Sequence, residues 1–160
     1  MQIKEQLDTV VGDLMWNIVE LHSQFEEIHN SWAQLLGITE PQWLMLMAIG
    51  ELDEGRGVSG IAVAKKLRIY PTYVDAQTRQ LEKIGFLTRE TSSDDARYLR
   101  ITLTEDARAE LRKLSAKRQA LNSTMFDGFD EESVHYLNKR LTLIAKNSRL
   151  ASQKLTVGVR

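Results

Sequence analysis

The stretch PTYVDAQTRQLEKIGFLTRET, residues 71–91, changes its period part-way along. Its first half reads as a helix. Pro71 suits a first helical turn, where a missing N–H costs nothing, and Val74, Leu81 and Ile84 are spaced to face inward. Gly85 is a natural stop. From Phe86 to Thr91 the residues alternate and are rich in β-formers, and Tyr98 to Leu103 repeats the pattern. Ser92-Ser93-Asp94-Asp95-Ala96-Arg97 between them is polar turn chemistry. A helix is thus followed at once by two strands joined through a basic-tipped loop.

Working outward, Ser59 is placed to cap a short helix carrying Ile61, Ala64 and Leu67. Two short helices joined by a tight turn give the outline of a helix-turn-helix, and the strand pair makes its wing. Upstream, Asp53-Glu54-Gly55-Arg56-Gly57 is a turn. Before it, Thr39 caps a helix with Pro41 in its first turn and Trp43, Leu44, Met47, Ala48 and Leu52 on one side. From Leu7 to about Leu36, apolar residues at Val10, Val11, Leu14, Ile18, Leu21, Phe25, Ile28, Trp32 and Leu35 recur every three or four positions, which predicts a long helix stopped by Gly37. Downstream, Thr104 caps a helix with Glu105 and Asp106 at its positive end and Leu111, Leu114, Leu121 and Met125 along it. Asp127-Gly128-Phe129-Asp130 breaks that helix. A last one starts at Glu131 and Glu132, carries Val134, Leu137, Leu141 and Ile144, and is expected to fray after Lys154. The predicted fold is mostly α with a small β-wing.

Composition narrows the function classes. The 160 residues, 42% hydrophobic and 27% charged, fit one domain with a helical extension. Cysteine is absent, which excludes disulfides, thiolate metal sites and thiol redox sensing. No apolar run approaches the roughly 18 residues of a membrane span. The start, Met1-Gln2-Ile3-Lys4-Glu5, lacks a basic region followed by an apolar block, so a cytoplasmic location is expected. Net charge is −1, but its distribution is uneven: ten bases against seven acids between Arg56 and Arg108 leave +3 there and −4 elsewhere.

Four stretches in this order resemble the MarR family of bacterial regulators: Ile38-Thr39-Glu40-Pro41-Gln42-Trp43, Leu81-Glu82-Lys83-Ile84-Gly85-Phe86-Leu87-Thr88-Arg89, Ser93-Asp94-Asp95-Ala96-Arg97 and Ile101-Thr102-Leu103-Thr104-Glu105. The resemblance implies a homodimer. Residues 1–37 and 105–160 would form a helical dimerisation region, and residues 38–104 the winged helix-turn-helix DNA-binding domain. Thr72 to Ile84 would enter the major groove and the wing loop the adjacent minor groove. Small ligands, often aromatic acids, would bind between the two layers and release the DNA; no cofactor is implied. Two positions depart from the family pattern. Asp75-Ala76 stands where an Arg often follows a Thr, and Ala107 stands where Gly is common after the wing.

With Val74 and Leu81 inward, Thr72, Tyr73, Asp75, Ala76 and Arg79 fall on the outward side, as candidates for base-edge and phosphate contact or as an ordinary solvated face. A carboxylate can accept from cytosine N4 and an arginine can grip guanine. At the wing tip Arg97, oriented by Asp95, is the family's minor-groove reader; its plain alternative is a surface ion pair. Lys65, with Lys66 and Arg68, either touches phosphate or complements the negative end of its helix. The DNA grip is therefore expected to lean on the wing and Arg79. Trp16, Phe25, Trp32, Trp43 and Met47 are candidates for an effector pocket, although aromatics at helical spacing are more often core.

For catalysis nothing is nominated: there is no nucleophile elbow, phosphate-cradling Gly loop, zinc-binding helix or paired carboxylates in an apolar setting. His22 and His29 are two turns apart without a third ligand, and His135 is isolated, so no metal site is predicted. Two functions remain. One is a ligand-responsive repressor bound as a homodimer to a palindromic operator in double-stranded DNA. The other is a helical protein-interaction module that uses the winged fold without specific DNA binding, a reading kept open by Asp75 and the near-neutral total charge.

Overall fold

The computed structural model describes residues 2–91 and 99–157. It contains helices α1 (Gln2–Leu35), α2 (Glu40–Leu52), α3 (Gly60–Leu67), α4 (Pro71–Lys83), α5 (Glu105–Met125) and α6 (Glu131–Val157), and strands β1 (Val58–Ser59), β2 (Leu87–Thr91) and β3 (Leu99–Leu103). The chain forms two compact units, residues 1–113 and 114–160. Among the described residues no helix is long and apolar enough to cross a membrane.

The first unit holds the core. Met45, Leu46, Ile49, Val63, Val74, Leu81, Leu87, Ile101, Leu103 and Ala107 form one buried cluster drawn from α2, α3, α4, the sheet and the start of α5. The one-sided stripe predicted for α2 is corrected here. Met45, Leu46 and Ile49 are buried together with Trp43 and Ala48, so α2 is enclosed on most of its circumference. Burying the largest of these side chains stabilises by about 2–3 kcal/mol each.

The local signals act as the residue chemistry dictates. Ser59 Oγ accepts from Ala62 N–H at 3.2 Å and starts α3. At α2, the Thr39 N–H donates to Gln42 Oε1 at 3.0 Å, one arm of a capping box. Thr104 Oγ1 accepts from Ala107 N–H at 3.1 Å and donates to the Gly85 carbonyl at 2.7 Å. One hydroxyl therefore starts α5 and closes the end of α4. Gly85, at φ +81°, and Gly37, at φ +68°, sit in the left-handed region just past their helices.

Several expectations change. α1 begins at Gln2, earlier than the stripe starting at Leu7 indicated, and α6 runs on to Val157. Ile84, predicted inward, is 54% exposed, and Ile61 is 58% exposed; Val63 and Thr78 occupy the interior. Thr78 is tolerated there because its hydroxyl donates to the Val74 carbonyl at 2.8 Å. The wing is part of a three-stranded antiparallel sheet of order β1-β3-β2, with Val58 opposite Ile101 and Leu87 opposite Leu103. The short β1 strand was not anticipated.

The second unit holds the end of α5 and α6. Asp130 Oδ1 accepts from Ser133 N–H at 2.8 Å and caps α6 after the Asp127–Phe129 break, where Gly128 has φ +83°. Phe126 and Phe129 meet edge to face at 6.0 Å.

Candidate nucleic-acid interface

α4 is held by one face. Val74, Thr78 and Leu81 are buried in the core, while Thr72, Tyr73, Ala76 and Arg79 lie exposed along the opposite side. The helix is also tied to α2 by a side-chain hydrogen bond. Gln42, largely buried, donates from Nε2 to Gln80 Oε1 at 3.0 Å while its own oxygen accepts from Thr39. The turn into α4 depends on Arg68, which caps α3 in the left-handed conformation at φ +57°, and on the Ile69 N–H donating to the Ala64 carbonyl at 3.1 Å.

Asp75 is not the outward carboxylate that the sequence reading offered to a cytosine amino group. Its Oδ2 accepts from Arg79 Nε at 3.0 Å, and its Oδ1 accepts from the Arg89 guanidinium of β2. The Arg79 hydrogen bond, joined by that of Arg89, holds its carboxyl below the usual aspartate range against the opposing effect of burial. Through these contacts two cations accompany the one anion.

Arg89 was missed in sequence, although a signal existed. It lies two residues from Leu87, so the strand alternation puts it on the inward face, and a buried guanidinium requires a carboxylate. Its side chain is only 6% exposed, and Glu82 Oε2 lies 4.0 Å from its Nη1. Asp75, Thr78 and Arg89 share a cleft with Ser59, Ile61 and Leu99. Elsewhere on this side Lys65 is exposed, and Lys66 is paired with Glu51 of α2. Asp95 and Arg97 lie outside the described residues.

The five effector candidates are not gathered into one place. Trp43 is core at 2% exposed and stacks on the half-buried Trp32, with ring centroids 6.1 Å apart. Phe25 stacks on His29, whose Nδ1 lies 3.8 Å from Glu40. Met47 is half-buried on α2. Trp16, 72% exposed, is sixteen residues before Trp32 on α1, roughly 24 Å along the axis. Among the described residues no group of three or more His, Asp or Glu side chains is arranged to hold a metal ion.

Residues 38–99, which include α2, α3, α4 and the strands up to the start of β3, match the family model described as MarR family. That segment of the chain is similar to the winged helix-turn-helix of the MarR family. Solved structures extend the likeness beyond that segment. CouR from Rhodococcus jostii, solved with p-coumaroyl-CoA, superposes with a TM-score of 0.73 at 21% identity over 83% of this chain and 92% of its own. AbsC from Streptomyces coelicolor, a MarR family transcriptional regulator, gives 0.72 at 23% identity over 86% and 93%. MepR from S. aureus, solved with DNA, gives 0.71 at 16% identity over 83% and 94%. At these identities the likeness is one of fold. It is a fold shared with structures described as MarR-family transcriptional regulators.

Proposed function

We propose that the protein is a sequence-specific, ligand-responsive repressor that binds a palindromic operator as a homodimer in the cytoplasm. The observation that carries this reading is the one-sided anchoring of α4. Its core face is fixed by Val74, Thr78 and Leu81, and Thr72, Tyr73, Ala76 and Arg79 are left on the free face. A rigid helix with polar and small residues on its free side suits a major groove about 12 Å wide. Asp95 and Arg97 are assigned to minor-groove recognition from their sequence pattern, and exposed Lys65 to phosphate contact. MepR, which shares the fold, was solved with DNA.

The dimer rests on residues 1–37 and 105–160. α1 exposes Val10, Val11, Leu14, Met15, Trp16 and Val19, and α6 exposes Tyr136, Leu137, Leu141, Leu143 and Leu150. Apolar side chains in such density are the mark of an interface rather than of a solvated helix. The effector is a small aromatic or carboxylate compound held near the Trp32–Trp43 stack, with Phe25 and Met47 as further candidates. CouR, which shares the fold, was solved bound to p-coumaroyl-CoA.

A gel-shift titration with duplex from the gene's own promoter region, in excess competitor DNA, tests the reading. A discrete shift that weakens for Arg97→Ala, with the variant still folded, is expected. Absence of a shift, together with salt-insensitive capture of a protein partner, would instead favour the protein-interaction module. Tryptophan fluorescence should respond to some members of a panel of aromatic acids and their thioesters.

A further inference from the structure

The two oxygens of Asp75 serve two different arginines. Oδ1 is rooted in the fold through Arg89, which β2 keeps 6% exposed. Oδ2 faces Arg79, one turn further along α4 and 62% exposed, and takes its Nε–H at 3.0 Å. A chain of contacts therefore runs from the sheet, through the recognition helix, to a guanidinium on its outer face.

The choice of nitrogen matters. Arginine carries five N–H donors in a fixed plane. Spending Nε on Asp75 leaves the terminal nitrogens as the donors that a base can meet, and that pair matches the O6 and N7 acceptors of guanine. An unsupported arginine on a helix surface loses rotamer entropy when a ligand orders it. Here Asp75 has already done part of that ordering.

We infer that Arg79 is the specificity-determining residue of α4 and reads one guanine in each half-site through its terminal nitrogens. Asp75, braced by Arg89, is its positioning residue. The inference rests on the DNA-binding reading above and goes beyond it by naming the base and the residue pair. It also accounts for Ala76: with its methyl in place of an arginine, the reading cation stands one position before the next turn, at Arg79.

Selection of bound duplexes from a random pool, with the native protein and with Arg79→Ala, Arg79→Lys and Asp75→Asn, tests it. Arg79 is exposed, so its variants are expected to fold, which thermal melts will check. The native site should contain a symmetric guanine. Its preference over adenine at that position should fall about tenfold in both Arg79 variants, and in the same direction in Asp75→Asn, with other positions unchanged. Replacing that base by 7-deazaguanine, which lacks the N7 acceptor, should weaken the native protein similarly and leave Arg79→Ala indifferent. Unchanged base preferences with a uniform loss of affinity would make Arg79 a phosphate contact and overturn the inference alone. Undiminished guanine preference in Asp75→Asn would overturn the positioning role. A native protein that enriches no sequence would overturn the DNA-binding reading, and this inference with it.

Discussion

Single residues settle much of the local geometry around α4 and the sheet. Asp53 closes the turn after α2. Its Oδ1 accepts from the Gly55 and Gly57 amides at 2.9 and 2.8 Å, and its Oδ2 from Arg108 of α5 at 3.0 Å. Burial raises its pKa, but the Gly57 and Gly55 amides and Arg108 together outweigh that effect and leave it below the usual value. A carboxyl depressed on folding contributes stability above its unfolded pKa of about 3.9, and that contribution is lost as pH falls through the folded value. Melting temperature should therefore drop on acidification below about pH 4, and less steeply in Asp53→Asn. The substitution should itself cost about 2 kcal/mol at pH 7 in a denaturant melt, because a charged acceptor for three donors is weakened. Equal acid sensitivity in the variant and the native protein would contradict this role. Gly57 is a second test. It has φ +70°, and an added Cβ would stand 2.8 Å from Thr102 Oγ1 and 3.3 Å from the Ile101 carbonyl. Gly57→Ala should destabilise by more than about 1 kcal/mol, from backbone strain and the displaced β3 side chain.

At the scale of elements, most of the layout was legible in sequence because its signals are local. Caps at Ser59, Thr39 and Thr104, stops at Gly37 and Gly85, and the change from helical to alternating period each occupy a few neighbouring residues. What escaped was non-local. The two-residue β1 is too short to show alternation and exists only through its pairing with Ile101 and Arg100. The Asp75–Arg89 pair joins residues fourteen apart, and only the α4-to-β2 turn brings them together. Ile84 misled because an apolar residue near a helix end satisfies a spacing rule whether or not a neighbour covers it. The correction is measurable. Leu81→Ala, at a fully buried site, should cost about 2–5 kcal/mol, whereas Ile84→Ala, at a site 54% exposed, should cost under about 1 kcal/mol. Similar losses from the two would contradict the placement of α4. On α4, Thr72, Tyr73, Ala76 and Arg79 lie exposed on the side where the sequence pattern placed them, but Asp75, grouped with them, does not. Sequence could not say that Asp75 spends both oxygens within the protein.

The whole molecule joins a well-packed winged unit to helices that keep much of their apolar surface uncovered within one chain. Trp16 at 72% and Val10 at 60% exposed are far from what a solitary helix in water retains. A second copy would cover such residues. Analytical ultracentrifugation should give the mass of a dimer for the native protein, and Trp16→Glu should shift it towards monomer and lower the melting temperature. A native monomer at micromolar concentration would contradict the proposed dimer. The central claim, that this fold grips a specific duplex, is tested most directly by fluorescence anisotropy. The gene's own promoter duplex would be compared with a scrambled duplex across a series of salt concentrations. The account predicts a preference of about a thousandfold or more for the promoter duplex, with affinity falling steeply as salt rises, as phosphate neutralisation requires. Equal binding to both duplexes, or binding indifferent to salt, would contradict it.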